Sequence, residues 1–125
     1  MRTAATVFQM LVRLSGLILI VLGILFWTGN TLDLVPVHML LGLILVISLW
    51  ALAFLAARAG APPAQVIAAA VWGLVVPVLG VTQDQLVPGD AHVLIRILHL
   101  LVGLIAIGMA EGLGQRIKRA PSAAV

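Results

Sequence analysis

The sequence contains no cysteine and no tyrosine, and only 9% of its 125 residues are charged. The lack of cysteine excludes disulfides, thiolate metal ligands and a cysteine nucleophile. Ordinary globular domains carry about a quarter charged residues, so this chain has too few to cover a surface that faces water. Hydrophobic residues make up 63% of the chain and the mean hydropathy is +1.26, which indicates that lipid surrounds the folded protein.

The motifs of several large enzyme classes are also missing. There is no phosphate-binding GxxxxGK[ST] loop, no GxGxxG turn, no HExxH pair and no GxSxG elbow. Four acidic residues are too few for a metal site built from carboxylates. The net charge of +3 comes from a few basic residues that membrane topology explains, so we expect no nucleic-acid partner.

Four apolar runs separated by polar segments predict an all-α fold, an integral membrane four-helix bundle in one domain. About 20 apolar residues suffice to cross the hydrocarbon core of a bilayer. Pro36 suits the first turn of the second helix, Asp90 is a plausible N-cap of the fourth, and we expect a kink near Pro77 in the third, which is the weakest span. The predicted spans cover residues 7–28, 34–58, 64–82 and 91–114, and residues 115–125 form a short basic tail that is expected to be partly disordered.

The basic residues predict the orientation of the bundle, because cytoplasmic loops of membrane proteins carry an excess of Lys and Arg. All charged residues in the two connections that follow the first and third helices are acidic, namely Asp33, Asp84 and Asp90. Arg96 is the exception to the pattern. Both termini are therefore expected in the cytoplasm, as in a bacterial inner membrane protein. The basic residues on that side are Arg2, Arg13, Arg58, Arg116, Lys118 and Arg119.

An internal repeat relates the second helix to the fourth. Residues 38–44 read His-Met-Leu-Leu-Gly-Leu-Ile, and residues 99–105 read His-Leu-Leu-Val-Gly-Leu-Ile. Upstream, Leu22-Gly23 in the first helix resembles Leu79-Gly80 in the third. Coincidence is the alternative, since Leu, Ile and Gly are common in membrane helices. Two similar helical hairpins are favoured because the match includes a rare histidine.

The repeated histidines form the candidate site. An ionisable residue inside a membrane helix is costly and is a functional hypothesis by default. His38 shares a helix face with Gly42, and Arg96 and His99 share a face with Gly103. Two imidazoles from different helices can bind a haem iron from opposite sides, and a glycine one turn deeper leaves room for the macrocycle. Gly16, Gly23, Gly73 and Gly80 on the other helices are candidates to clear further room.

Arg96 and His92 complete this candidate haem site. Arg96 is expected to pair with a haem propionate near the outer surface. His92 is a less favoured substitute for one of the two iron ligands, because it stands at the start of its helix. A surface or capping role suits that position better.

With these motifs the chain resembles the small four-helix membrane b-type cytochromes. The architecture of the whole chain resembles that class, whereas the sequence resembles it only in the His-x-Leu-x-Gly motifs at His38 and His99. The resemblance implies haem b bound by these two histidines and electron transfer, with a quinone as a candidate redox partner. Di-haem members carry two well-separated histidines on each ligand helix. This chain does not, so at most one haem per chain is expected.

Other interpretations of these residues stay open. Each histidine could instead hydrogen-bond a neighbouring helix, and Arg96 could extend to the outer interface. The chain would then be a non-enzymatic small membrane transporter or an assembly subunit of a larger complex, with a polar cavity or partner surface at these residues. Proton-coupled carriers of this size use an acidic residue inside the membrane. The only candidate, Glu111, stands near the end of its helix, which disfavours the transporter.

Two further features concern the inner half of the bundle. Arg13 either pairs with Glu111, joined by Gln9 one turn away, or extends to the interface, and the second option is favoured. Gly108 and Gly112 form a Gly-x-x-x-Gly pattern that seats close helix contacts, within the bundle or across a dimer. A homodimer, or a subunit in a membrane complex, is therefore expected.

Overall fold

Four long helices make up the protein. The computed structural model describes residues 1–121, and this part of the chain is all-α, with no strand. Each helix is long and apolar enough to cross a membrane, which confirms the predicted number of apolar helices. The helices are α1 (Arg2–Trp27), α2 (Val35–Arg58), α3 (Pro63–Thr82) and α4 (His92–Arg119), with short 3-10 turns at Leu32–Leu34 and Gln83–Gln85.

The helix ends differ from the predicted ones where the chain is polar. α4 continues through Arg119, so the first part of the predicted tail at residues 115–125 is helical, and residues 122–125 lie outside the described part of the chain. Ala91, not Asp90, is the N-cap of α4, and its side chain forms no capping bond. Pro36 lies in the first turn of α2 as expected, where its missing N–H removes no helical hydrogen bond. α3 runs unbroken through Pro77.

The packing order brings the two histidine-bearing helices together. α2 contacts the three other helices, and it meets α4 across the centre of the bundle. α1 and α3 each pack against both α2 and α4, and they lie on opposite sides of that central pair. The residues of α2 and α4 that face each other therefore form the interior of the bundle.

Packing is dense in one half of the bundle and sparse in the other. Within residues 17–44 and 74–101, all of which the structure describes, Leu22 is the single buried residue. The other half holds a continuous core in which small alanines let the helix backbones approach closely. That core includes Ala5, Val12, Leu49, Leu52, Ala56, Ala69, Ala106, Ala110 and Leu113. The half that carries His38 and His99 is therefore the less densely packed one.

The two ends of the described part of the chain meet at the densely packed end. An Arg2 guanidinium N–H donates to the carbonyl oxygen of Ala120 over 3.0 Å, which joins the start of α1 to the end of α4. We call this the basic end, since Arg2, Arg58 and the cationic last turn of α4 lie there. We call the opposite end, with the two acidic connections, the histidine end.

Candidate functional site

His38 and His99 face each other at the histidine end of the bundle. The centroids of their rings are 6.4 Å apart, and the ring planes are inclined by 43°. Both side chains are half-buried. The Nδ1 atom of each ring is buried and has no hydrogen-bond partner among the described residues. Buried polar atoms normally have a partner, so these two nitrogens are candidates to bind a group from outside the described chain.

Each histidine packs on a glycine from the preceding helix of its own hairpin. A Cβ at Gly23 would lie 3.8 Å from Cε1 of His38, and a Cβ at Gly80 would lie 3.2 Å from Cε1 of His99. These glycines are the two that the internal repeat relates. The same contact therefore occurs once in each hairpin, which supports the interpretation of the chain as two similar hairpins.

An aromatic neighbour distinguishes the first hairpin from the second. The ring of Phe26, in the last turn of α1, lies 5.4 Å from the ring of His38 with the planes inclined by 58°. Sequence reasoning did not single out Phe26, because nothing in a lone aromatic near a helix end indicates its partner. The contact fixes one side of the His38 ring.

One helical turn past each histidine, α2 and α4 carry a glycine that has no close neighbour. A side chain built at Gly42 or Gly103 would meet nothing within 4 Å. The predicted role of these two glycines, leaving room beside each ligand, is compatible with that space. Contrary to expectation, Gly16 and Gly73 leave no further room. Gly16 packs against Ile107, and Gly73 packs against the indole of Trp50. Their role is close helix contact.

Arg96 and His92 lie on the same helix as His99 but have different surroundings. Arg96 is exposed, and no ion pair involves it within the described chain. Nδ1 of His92 is hydrogen-bonded to the carbonyl oxygen of Leu86 at 3.1 Å, and its Nε2 lies 4.0 Å from a carboxylate oxygen of Asp84. His92 thus ties the α3–α4 connection to the start of α4, which favours the surface or capping interpretation.

A second polar cluster lies in the densely packed half, between α1 and α4. Arg13 donates to both carboxylate oxygens of Glu111, from Nε at 2.7 Å and from a terminal nitrogen at 2.8 Å. The favoured expectation that Arg13 extends alone to the interface is therefore wrong. A bidentate guanidinium–carboxylate pair is stronger than a single contact, and it neutralises both charges.

Gln9 completes this cluster, as in the less favoured of the two interpretations of Arg13. Its side-chain nitrogen donates to a carboxylate oxygen of Glu111 at 3.1 Å and to the backbone oxygen of the same residue at 3.2 Å. Gln9 is 1% exposed, and its side chain lies directly against Gly114, where any Cβ would collide with it. The sequence did not indicate the role of Gly114, because it depends on which helices are neighbours.

The donor set limits the kind of metal group that the site can hold. Among residues 1–121 no group of three or more His, Asp or Glu side chains could hold a metal ion. A bare ion would therefore lack ligands. A haem needs only two axial ligands from the protein, since its macrocycle supplies the other four nitrogens.

Comparison with protein-family models, with curated proteins and with solved structures finds no match to this chain.

Proposed function

We propose that the chain is a membrane b-type cytochrome that transfers electrons through one haem b bound between His38 and His99. The observation that carries this proposal is the facing pair of imidazoles in the interior of the bundle, with centroids 6.4 Å apart. Metal–imidazole bonds of about 2 Å on opposite sides of one iron put the two ring centroids about 6 Å apart. The observed separation fits that requirement.

The sparse packing of the histidine half supports a bulky occupant. Leu22 is the single buried residue in that half, and both Gly42 and Gly103 border open space. A planar macrocycle between α2 and α4 would supply the apolar contacts that the side chains do not. Haem binding is therefore expected to stabilise the bundle as well as to give the protein visible absorbance.

The residues of this chain would bind and orient the group, while the haem supplies the one-electron chemistry. His38 and His99 would hold the iron, and the apolar helices around them would keep water away. Arg96 is exposed on α4 and carries the charge that a propionate would pair with. A quinone dissolved in the bilayer is the proposed redox partner, since it can reach a site that opens to lipid.

The orientation and the assembly state are part of the same proposal. The basic end, with both ends of the described chain, faces the cytoplasm of a bacterial inner membrane, in line with the positive-inside rule. The chain works as a homodimer or as a subunit of a larger membrane complex. Gly108 supports this, because it is exposed on α4 and a side chain there would meet nothing within 4 Å. It therefore does not seat a helix of its own bundle.

Substitution of the histidines tests the ligand assignment. His38→Ala and His99→Ala should each abolish tight haem binding, measured as the Soret absorbance gained when haem is added to the purified protein in detergent. His92→Ala is the matched control, since His92 bonds the α3–α4 connection, and it should bind haem like the parent protein. Unchanged haem binding by both His38→Ala and His99→Ala would refute the assignment.

The second candidate function is that of a colourless assembly subunit. The exposed Gly108–Gly112 pair favours it, since such pairs bring helices of different chains into close contact. A transporter is disfavoured, because Glu111 is held in a bidentate pair by Arg13 and is not a free proton carrier. A preparation without haem whose stability depends on a partner chain would support the subunit.

A further inference from the structure

A groove lies between α3 and α4 at the basic end, on the side of the bundle away from α1. Its volume is about 390 Å³, within the range of about 300–1,000 Å³ that is typical of small-molecule sites. Ala69 and Leu113, both buried, form its floor, and Gln65 and Arg116 stand at its mouth. The groove therefore changes from apolar to polar along its length.

Small residues keep this groove open. Ala68 and Ala69 line its α3 wall, and Gly112 lines its α4 wall. A Cβ at Gly112 would meet nothing within 4 Å, so no side chain of the same bundle fills the space. The dense core beneath the groove fixes its shape.

The mouth of the groove is cationic. Arg116 is exposed and forms no ion pair with any residue from 1 to 121. α3 begins beside the mouth, at Pro63, without a capping side chain, so the partial positive charge of its first turn adds to that of the arginine.

We propose that this groove binds one anionic phospholipid of the surrounding bilayer. An acyl chain lies on the floor formed by Ala69, Met109 and Leu113, and the headgroup phosphate accepts hydrogen bonds from Arg116 and Gln65 at the mouth. An anionic amphiphile is the class of ligand that matches both ends, because basic pockets between membrane helices bind anionic headgroups. The site is separate from the histidine pair, and the proposal does not depend on haem.

Native mass spectrometry of the detergent-purified chain, with phosphatidylglycerol or phosphatidylcholine added, tests the proposal. We expect one phosphatidylglycerol to stay bound per chain and phosphatidylcholine to be lost. Arg116→Gln should lower the affinity for phosphatidylglycerol about five-fold, which is the usual effect of one basic residue near a lipid surface. Arg119→Gln removes the same charge outside the groove and should have less effect.

A second pair of variants separates the groove from the general charge of this end. Gly112→Leu fills the groove and should abolish retention, whereas Gly108→Leu, one turn away and equally free of neighbours, should leave it intact. The helical circular dichroism of all four variants must match the parent. Equal retention in Gly112→Leu and Gly108→Leu would overturn the proposal. Displacement of the lipid by inorganic phosphate alone would also overturn it. So would a dimer that is lost in Gly112→Leu but not in Gly108→Leu, because the groove would then bind a second copy of the chain.

Discussion

His38 and His99 show how far single residues can be understood from their neighbours. The position of the two histidines on helix faces that also carry Gly42 and Gly103 could be predicted from the repeat, because helical periodicity places residues three and four apart on one face. Their distance from each other could not, since it depends on α2 and α4 packing directly across the bundle. The unpartnered Nδ1 atoms are likewise visible only in the folded protein.

Gly23 and Gly80 differ in the room that each leaves beside its histidine, and this predicts different effects of the same substitution. Gly23→Ala places a Cβ at ordinary contact distance, 3.8 Å from the His38 ring. It also gains up to about 1 kcal/mol of helix propensity. Gly80→Ala places a Cβ 3.2 Å from Cε1 of His99, so that ring must shift by a few tenths of an ångström.

We therefore expect Gly23→Ala to unfold at the same temperature as the parent protein or higher, and Gly80→Ala to unfold below Gly23→Ala. Circular dichroism during heating in detergent measures both. Identical unfolding temperatures for the two variants would show that His99 does not pack against Gly80 as described.

At the scale of the helices, the apolar runs predicted the number of elements and their approximate limits, since run length determines whether a helix can span a bilayer. The ends were less predictable. Gln115, Arg116 and Lys118 are good helix formers in a polar segment, and α4 continues through them. The pairing of Arg13 with Glu111 depends on α1 and α4 being neighbours, which the sequence favoured too weakly.

The cluster of Gln9, Arg13 and Glu111 is expected to stabilise the contact between α1 and α4. Glu111→Ala removes one acceptor of the buried Gln9 amide and leaves the Arg13 guanidinium without its partner. The loss at Gln9 alone should cost about 1–3 kcal/mol. Glu111→Gln keeps an acceptor for Gln9 but removes the charge, so it should be less destabilising.

Unfolding of these two variants in detergent, compared with the parent, measures the difference. An unfolding temperature of Glu111→Ala equal to that of the parent would mean that the cluster contributes nothing to the α1–α4 contact.

At the scale of the whole molecule, the structure divides into a dense basic half and a sparse histidine half. Hydropathy indicates little about this division, because each apolar helix runs through both halves, whereas alanines are frequent in the core of the dense half. The division separates two roles. One half holds the helices together, and the other leaves the space in which we propose the haem.

The predicted orientation can be tested cleanly because the chain has no cysteine. Single cysteines at Asn30 or Gln85 lie in the connections of the histidine end, and one at Ala64 lies in the first turn of α3 at the basic end. In intact cells a membrane-impermeant maleimide should label the first two, whereas Ala64→Cys should react only after permeabilisation. The reverse pattern would place both ends of the chain outside the cytoplasm.

The central claim is that one haem b lies between His38 and His99. The visible spectrum of the protein, purified from cells supplied with haem and recorded before and after reduction with dithionite, tests it most directly. The account predicts a Soret band and, on reduction, sharp α and β bands with one haem per chain. A colourless protein that gains no Soret band even when haem is added would contradict it.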